Sequence, residues 1–466
     1  MRLYSENKDY KLYSGSMLDM LEHIPAQSID RVVTDPPYEL NFMNKGWDNS
    51  GIAFKKETWE KCYKVLKPGG YLLAFGGSRT FHRIACAIEE AGFEMRDTIM
   101  WLYGSGFPKS MNIGLAVDKK NGVESPVVGQ NQDILKKQAK DLREGRRKIA
   151  DSFNNGAQDR NNGFKTVSAN IKEAQNEWKG WGTCLKPSFE PIIVARKPFK
   201  GSLVDNVIEY GVGGLNIDEC RVPFESTPNP ATNPLYRQEN GYKHNRSKSI
   251  AENSVVKFST SPSEKPISSL GRFPANTILT YDETDYEEVC GGFPQTISSG
   301  GRGEKSIQSG LNGGVYMGGW NHQKAGAHIG GFGDRGSASR YFYCAKASKK
   351  DRDEGLAGFE EKISGGMIGT QKQSLLTGSG NIRNNLRKNT HPTVKPTTLM
   401  QYLIRLVTPN GGTILDPFNG SGSTGKAVMY ENKERNKDYK YIGIELMEEY
   451  LPIAKARIEY PLTSNK

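Results

Sequence analysis

The chain lacks several features that would assign it quickly. No stretch among its 466 residues approaches the ~18 consecutive apolar residues of a bilayer-spanning helix. Its start, MRLYSENKDY, has no signal-peptide core. A cytoplasmic protein without a membrane partner is therefore expected. The six cysteines (Cys62, Cys86, Cys184, Cys220, Cys290, Cys344) are scattered, with no CxxC and no ligand-like spacing to a histidine. This excludes a cysteine-built metal centre, and no metal is expected. No cysteine follows a proline, so a Pro-Cys nucleophile is excluded too. Apolar residues make up only 36% of the chain, which predicts long polar insertions around a smaller packed core.

Positive charge is in excess: 63 Lys and Arg against 52 Asp and Glu, a formal charge of +11. That balance suits an anionic partner, nucleic acid first, although a basic enzyme with no such partner has the same composition. The length suits roughly two or three domains.

The N-terminal part alternates short apolar runs with helical stretches. Strands are expected at Tyr10–Met17, Asp30–Tyr38, Gly69–Gly77 and Glu94–Gly104, with Phe189–Pro198 as a partner of the last. Helices are expected near Leu18–His23, Thr58–Leu66 and Phe81–Ala91. Between the last two strands lies an insertion, about 106–181. It carries a basic stretch, Ile134–Ala150, with Leu135, Leu142 and Ile149 seven residues apart. This suits either a solvated face over a packed stripe or a DNA contact. From about 200 to 340 polar, Gly- and Ser-rich runs dominate, glycine being densest between Gly291 and Gly336. Regular structure returns with a helix in Thr390–Gly412, strands at Thr413–Phe418 and Tyr441–Leu446, and helices after each. Strands alternating with helices at both ends of the chain imply one parallel α/β sheet built from two distant halves. The divisions are 1–199, a loop-rich 200–388, and 389–466.

Two motifs carry chemistry. Gly420–Lys426 fits the GxxxxGK phosphate loop, but Ala427 follows the lysine where a magnesium-binding hydroxyl is needed, and Asp416 would repel a triphosphate. Taken as FxGxG (Phe418, Gly420, Gly422, with Thr424 just beyond), the turn lets backbone N–H groups approach a compact ligand. Asp416 can accept from a ligand ammonium, and Glu445, about 25 residues on, can bind two ribose hydroxyls. An amino-acid end plus a ribose fits S-adenosylmethionine. The second motif is Asp35-Pro36-Pro37-Tyr38. A nucleobase amine is a poor nucleophile because its lone pair is delocalised into the ring. Asp35 and the Pro36 carbonyl can each accept one of its N–H groups and aim the lone pair at a methyl donor. The proline pair pre-sets this geometry, and Tyr38 offers a face for an extruded base. A strand end followed by a Pro-Pro turn is the plain alternative. Both motifs end parallel strands, which places them in one crevice.

With DPPY and DPFNGSGSTG stand LKPGGYLLAFGGSRTFHR, IMWLYGSGFPKS, LKPSFEPIIVARKP, GGLNIDECRVP, GRFPAN, RYFYCAKASKKDR and THPTVKP, in that order over nearly the whole chain. In this the chain resembles the DNA amino-methyltransferases of the permuted β class, especially those of phages and prophages. The resemblance implies a Rossmann-like, seven-stranded, permuted methyltransferase sheet with an inserted target-recognition region at roughly 200–388. It implies S-adenosylmethionine as cofactor and double-stranded DNA as partner, in DNA methylation of the restriction-modification or phage kind. It also implies that Thr393, Lys395 and Pro396 help hold the methionine end of the cofactor. Where the family commonly has Gly-Asp after the first strand, this chain has Gly15-Ser16, so Ser16 stands at the adenine-contact position, with Asp19 as an alternative.

The expected activity is direct methylation of the adenine 6-amino group in DNA. The cytosine 4-amino group is the alternative; adenine is favoured because Asp leads the tetrad. An RNA or protein amino-methyltransferase, usually with the motifs in reverse order, and an inactive DNA-binding relative are further readings. Trp47 is a candidate cap for the extruded base or a loop anchor. Arg79 and His82 are candidates for phosphate contact, and Leu235–Ser249 is either a nucleic-acid surface or a charged loop. A homodimer is compatible with the sequence.

Overall fold

The computed structural model describes residues 2–40, 46–104, 110–130, 170–223, 271–280, 349–363 and 386–464, with short stretches between 293 and 344. The basic stretch at 134–150, the segment 235–249 and nearly all of the Gly-rich run lie outside the described residues. Contacts divide the chain into two units. The larger comprises Met1–Cys220, Asn276–Val289 and Cys344–Lys466; the smaller comprises Arg221–Ala275 and Cys290–Tyr343.

The strands are, in chain order, β1 (Arg2–Glu6), β2 (Tyr10–Ser14), β3 (Ile29–Thr34), β4 (Leu66–Phe75), β5 (Glu94–Tyr103), β6 (Val127–Gln130), β7 (Asn170–Lys172), β8 (Phe189–Arg196), β9 (Thr277–Thr280), β10 (Gln295–Ile297), β11 (Arg335–Ser337), β12 (Tyr343–Cys344), β13 (Lys362–Ile363), β14 (Leu386–Arg387), β15 (Thr413–Asp416) and β16 (Lys440–Glu445). Ten of them form one sheet in the order β1-β2-β16-β15-β3-β4-β8-β5-β9-β12. Seven of these, β2 through β5 in that order, make up the expected seven-stranded sheet. The strands β1, β9 and β12 extend it. The smaller unit contains an antiparallel pair, β10 with β11, and a bridge between Val222 and Arg272.

The central strand β3, IDRVVT, is buried at every position, as a strand covered on both faces must be. It pairs in parallel with β15 (Leu415 opposite Val32) and with β4 (Val32 opposite Leu72). The expected parallel sheet runs from β2 through β16, β15 and β3 to β4, but two strands depart from it: β1 is antiparallel to β2, and the second departure lies inside the seven. The strand β8 runs antiparallel to both neighbours, β4 and β5. A long insertion separates β5 from β8 and can return the chain from either end, so the apolar pattern of β8 carries no direction. From β3 the chain proceeds to β4, whereas from β15 it proceeds to β16 on the other side. The β15–β3 boundary is therefore the switch point at whose carboxyl ends a ligand crevice opens.

Helix Lys56–Val65 covers one face, with Trp59 wholly buried and its Nε1 donating to the Ala53 carbonyl at 2.9 Å. Truncating such a side chain costs about 3–5 kcal/mol. The helix expected within 390–412 is shorter, Thr397–Val407. Lys395 precedes a proline and is excluded from helical backbone, so the helix begins only past Pro396. Among the described residues no helix is long and apolar enough to cross a membrane.

Candidate active site

The glycine turn leaves the end of β15, and DPPY leaves the end of β3, next to it. Thr34 donates its hydroxyl to Asp416 Oδ1 at 2.6 Å, joining the two motifs across 382 residues of sequence. Asp416 Oδ1 also accepts from the Phe418 N–H at 3.1 Å, and Oδ2 accepts from the Thr424 hydroxyl at 2.6 Å. Three of about four carboxylate acceptor positions are thus used within the protein. The expected ammonium contact is narrowed to what remains on Oδ2. With only 2% exposure, burial pushes the Asp416 carboxyl up to about 6.

Glu445 ends β16. Its Oε2 accepts from the Gly420 N–H and its Oε1 from the Met447 N–H, both at 2.7 Å. Burial raises this carboxyl to about 7. The Gly15 N–H bonds the Glu445 carbonyl at 2.9 Å, which brings Gly15-Ser16 beside it. The Ser16 hydroxyl caps the helix Met17–Met20, accepting from the Leu18 N–H at 3.3 Å. Gly420 and Gly422 have φ of +52° and +75°, in the left-handed region. A Cβ at Gly420 would lie 2.9 Å from His391 Nε2. A carboxylate with lone pairs to spare, a neighbouring hydroxyl and a turn that only glycine can make fit a ligand carrying a diol and an amino-acid end. Lys426 points elsewhere: wholly buried, its ammonium meets Asp351 at 2.5 Å and Glu354 at 2.8 Å. It is committed to the protein interior rather than to a phosphate.

On the DPPY side, Lys395 Nζ lies 2.6 Å from Asp35 Oδ2. Asp35 Oδ1 is buried and, among the described residues, has no hydrogen-bond partner. Burial raises the Asp35 carboxyl, Lys395 opposes that, and Glu190 adds to it. The tetrad is held in place by residues that sequence reasoning missed. Thr80 donates to the Tyr38 carbonyl at 2.8 Å. Asp48 accepts the Glu39 and Leu40 N–H groups at 2.9 and 3.2 Å, with Glu39 at a φ of +55°. A non-glycine residue in that region is held only by surroundings that over-determine it. Tyr38 donates to Glu190 Oε2 at 2.7 Å. The only sequence signal for Glu190 was a charge near the start of β8, ahead of the apolar run Pro191–Ala195.

Of the remaining expected residues, Thr393 offers its carbonyl to His391 Nδ1 at 2.9 Å, and Pro396 caps the helix Thr397–Val407. Lys395, expected to help hold the cofactor, has its ammonium 2.6 Å from Asp35 Oδ2. Trp47 stacks on His391 at 6.2 Å between ring centroids and 15° between planes. Arg79 and His82 are exposed. Among the described residues no cluster of His, Cys, Asp and Glu could hold a metal.

The type II methyltransferase M.HpaI of Haemophilus parainfluenzae is 32% identical over 108 residues, 22% of this chain and 34% of its own length. The type II methyltransferase M.HindIII of Haemophilus influenzae is 23% identical over 249 residues, 44% of this chain and 64% of its own length. The chain thus matches between about a third and two thirds of these relatives. Among solved structures, the PvuII DNA methyltransferase (cytosine-N4-specific) aligns over 96% of this chain and 86% of its own, with 13% identity and a TM-score of 0.38. The family model described as DNA methylase (N6_N4_Mtase) matches residues 29–456, and the chain belongs to that family.

Proposed function

We propose that this protein transfers a methyl group from S-adenosylmethionine to the exocyclic 6-amino group of adenine in double-stranded DNA, directly and with the base extruded from the helix. One observation carries the reading: an aspartate oxygen, Asp35 Oδ1, is buried at the end of the strand next to the glycine turn and has no hydrogen-bond partner among the described residues. A buried acceptor left unpaired costs free energy unless a ligand satisfies it. An amine N–H is the donor that DPPY suits.

S-adenosylmethionine supplies an electrophilic methyl group on a sulfonium. Glu445 and Ser16 would hold its nucleoside end, and the Phe418–Gly422 turn its amino-acid end, beside Asp416 and Thr393. Asp35 Oδ1 and the Pro36 carbonyl would take the two amine hydrogens, the Pro36 ring stiffening the backbone between them and Pro37 restricting the peptide that carries the carbonyl. Tyr38 lies against the base. The nitrogen that gains the methyl group must shed one proton, which Asp35 would accept and pass to water. The carboxylate leading the tetrad supports adenine over cytosine. The order of the motifs along the chain supports the permuted β class, and the ordered run of shared segments supports its phage and prophage branch.

Incubation with methyl-tritiated S-adenosylmethionine and plasmid DNA, followed by nucleoside chromatography, tests this. Label in N6-methyladenine is expected. Label in N4-methylcytosine would move the specificity to the alternative base. Label in RNA or protein with none in DNA would overturn the reading.

A further inference from the structure

The reversed strand β8 has a consequence for the cleft. Because it runs against β4 and β5, its first residues lie at the same edge of the sheet as the last residues of β3 and β4; Ile192 pairs with Phe75, and Glu190 with Trp101. Glu190 therefore enters the cleft from a strand expected only as scaffolding. Its carboxylate accepts from Tyr38 Oη at 2.7 Å and Tyr103 Oη at 3.3 Å. Lys395 Nζ lies 3.4 Å from Oε2 of the same carboxylate and 2.6 Å from Asp35 Oδ2. The ammonium also faces the rings of Tyr38 and Phe75, at 5.3 and 4.9 Å. One ammonium, its side chain only 6% exposed, is thus shared by two carboxylates. Glu190 thus contacts both the tyrosine of the tetrad and the counter-ion of its aspartate.

Lys395 sits on Asp35 Oδ2, so an amine can take Oδ1 only while the ammonium stays on that side. A buried ammonium must stay paired with carboxylates, and one that wandered to Oδ1 would close the site. Glu190 offers it a second anchor already within reach.

We propose that Glu190 is a positioning residue for the methyl transfer: it holds Lys395 on the Oδ2 side of Asp35, leaving Oδ1 for the target amine, and it fixes Tyr38. This rests on the reading of function above. Substituting Glu190→Gln keeps an acceptor for Tyr38 but removes the charge. Lys395 is then left with Asp35 as its one carboxylate partner and is free to shift toward Oδ1, where it would crowd the amine. The like charge that disfavours ionised Asp35 is also gone.

The test is steady-state methylation of DNA across pH by wild type, E190Q, E190D, K395Q and E190Q/K395Q. For E190Q, kcat should fall on the order of tenfold, equivalent to losing one good hydrogen bond. KM for S-adenosylmethionine should change little, and the acid limb of kcat/KM should move to lower pH. E190D should restore the limb. In the K395Q background the E190Q change should cost little more, because the residue it acts through is absent. Wild-type kcat with an unmoved limb in E190Q overturns the proposal. So does an equal loss in E190Q and E190D with the limb unmoved, the mark of mere packing. Should E190Q not fold, K395Q decides: its acid limb must move to higher pH, and an unmoved limb overturns the proposal. A wild-type protein that methylates no DNA removes the underlying function instead; an active wild type with E190Q indistinguishable from it removes only the role of Glu190.

Discussion

Thr34→Val removes one hydroxyl from the seam between the two motifs. Thr34 is fully buried, and valine fills nearly its volume, so no cavity forms and the loss is that of the 2.6 Å bond to Asp416. The size of that loss depends on the charge of Asp416. Its folded-state pKa of about 6 lies above the ordinary carboxylate value of 3.8, chiefly through burial, with the Thr34 and Thr424 hydroxyls pulling it back. A raised folded pKa means a contribution fully present below the unfolded pKa, fading as pH rises through about 6. Removing the Thr34 donor raises the value further, at ~1.4 kcal/mol for each added unit once pH exceeds both. At about pH 5 the carboxyl is mostly protonated, and the variant should lose about 1 kcal/mol, as for a neutral hydrogen bond. At about pH 8 it is ionised in the wild type, and the loss should reach ~2–3 kcal/mol, as for a charge-assisted bond. Urea unfolding of both proteins at the two pH values, followed by circular dichroism, gives the difference of differences, from which every other titrating group cancels. Equal losses at both pH values would refute the reasoning, as would no loss at either.

Other outcomes follow from the same geometry. Gly420→Ala places a Cβ 2.9 Å from His391 Nε2 on a backbone at φ +52°; cofactor affinity measured by calorimetry should fall about tenfold or more, and unchanged affinity would contradict the assigned turn. Glu445, raised to about 7, should ionise as ribose hydroxyls bond to it. Binding S-adenosylmethionine near neutral pH should therefore release protons, seen as a binding heat that varies with the ionisation enthalpy of the buffer; a buffer-independent heat would speak against that contact. Lys426→Met strands two carboxylates against an apolar side chain and should destabilise by about 3–5 kcal/mol. Magnesium-dependent triphosphate binding by the wild type, lost in this variant, would revive the phosphate-loop reading.

Much of the scaffold was legible because the strands that build it are short apolar runs with hard stops. The run Asp30–Tyr38 ends in prolines, Thr413–Phe418 runs into glycines, and both were placed as neighbouring ends of one sheet. What escaped has physical causes. The direction of β8 is invisible because residues such as Ile192 and Ile193 alternate identically in either sense. The strand β1, RLYSE, was missed because an edge strand exposed on nearly every residue leaves no buried pattern. Within the site, the type and spacing of Asp35, Glu445 and the glycines announced chemistry, but hydrogen-bond partners did not. Thr34 looks like any β-branched strand residue, and Lys395 could have served a ligand carboxylate as readily as Asp35. Glu190 stood in a segment whose apolar remainder spoke only of burial. Such pairings depend on which strand ends meet, and that is a property of topology rather than of local sequence.

The most direct test of the account is the identity of the modified base in DNA from cells expressing this protein or its Asp35→Ala variant, determined by single-molecule sequencing and nucleoside mass spectrometry. The account predicts N6-methyladenine at one sequence context with the wild type and none with the variant. Adenine methylation undiminished in the variant, or no methylated adenine or cytosine amine with either protein, would contradict it.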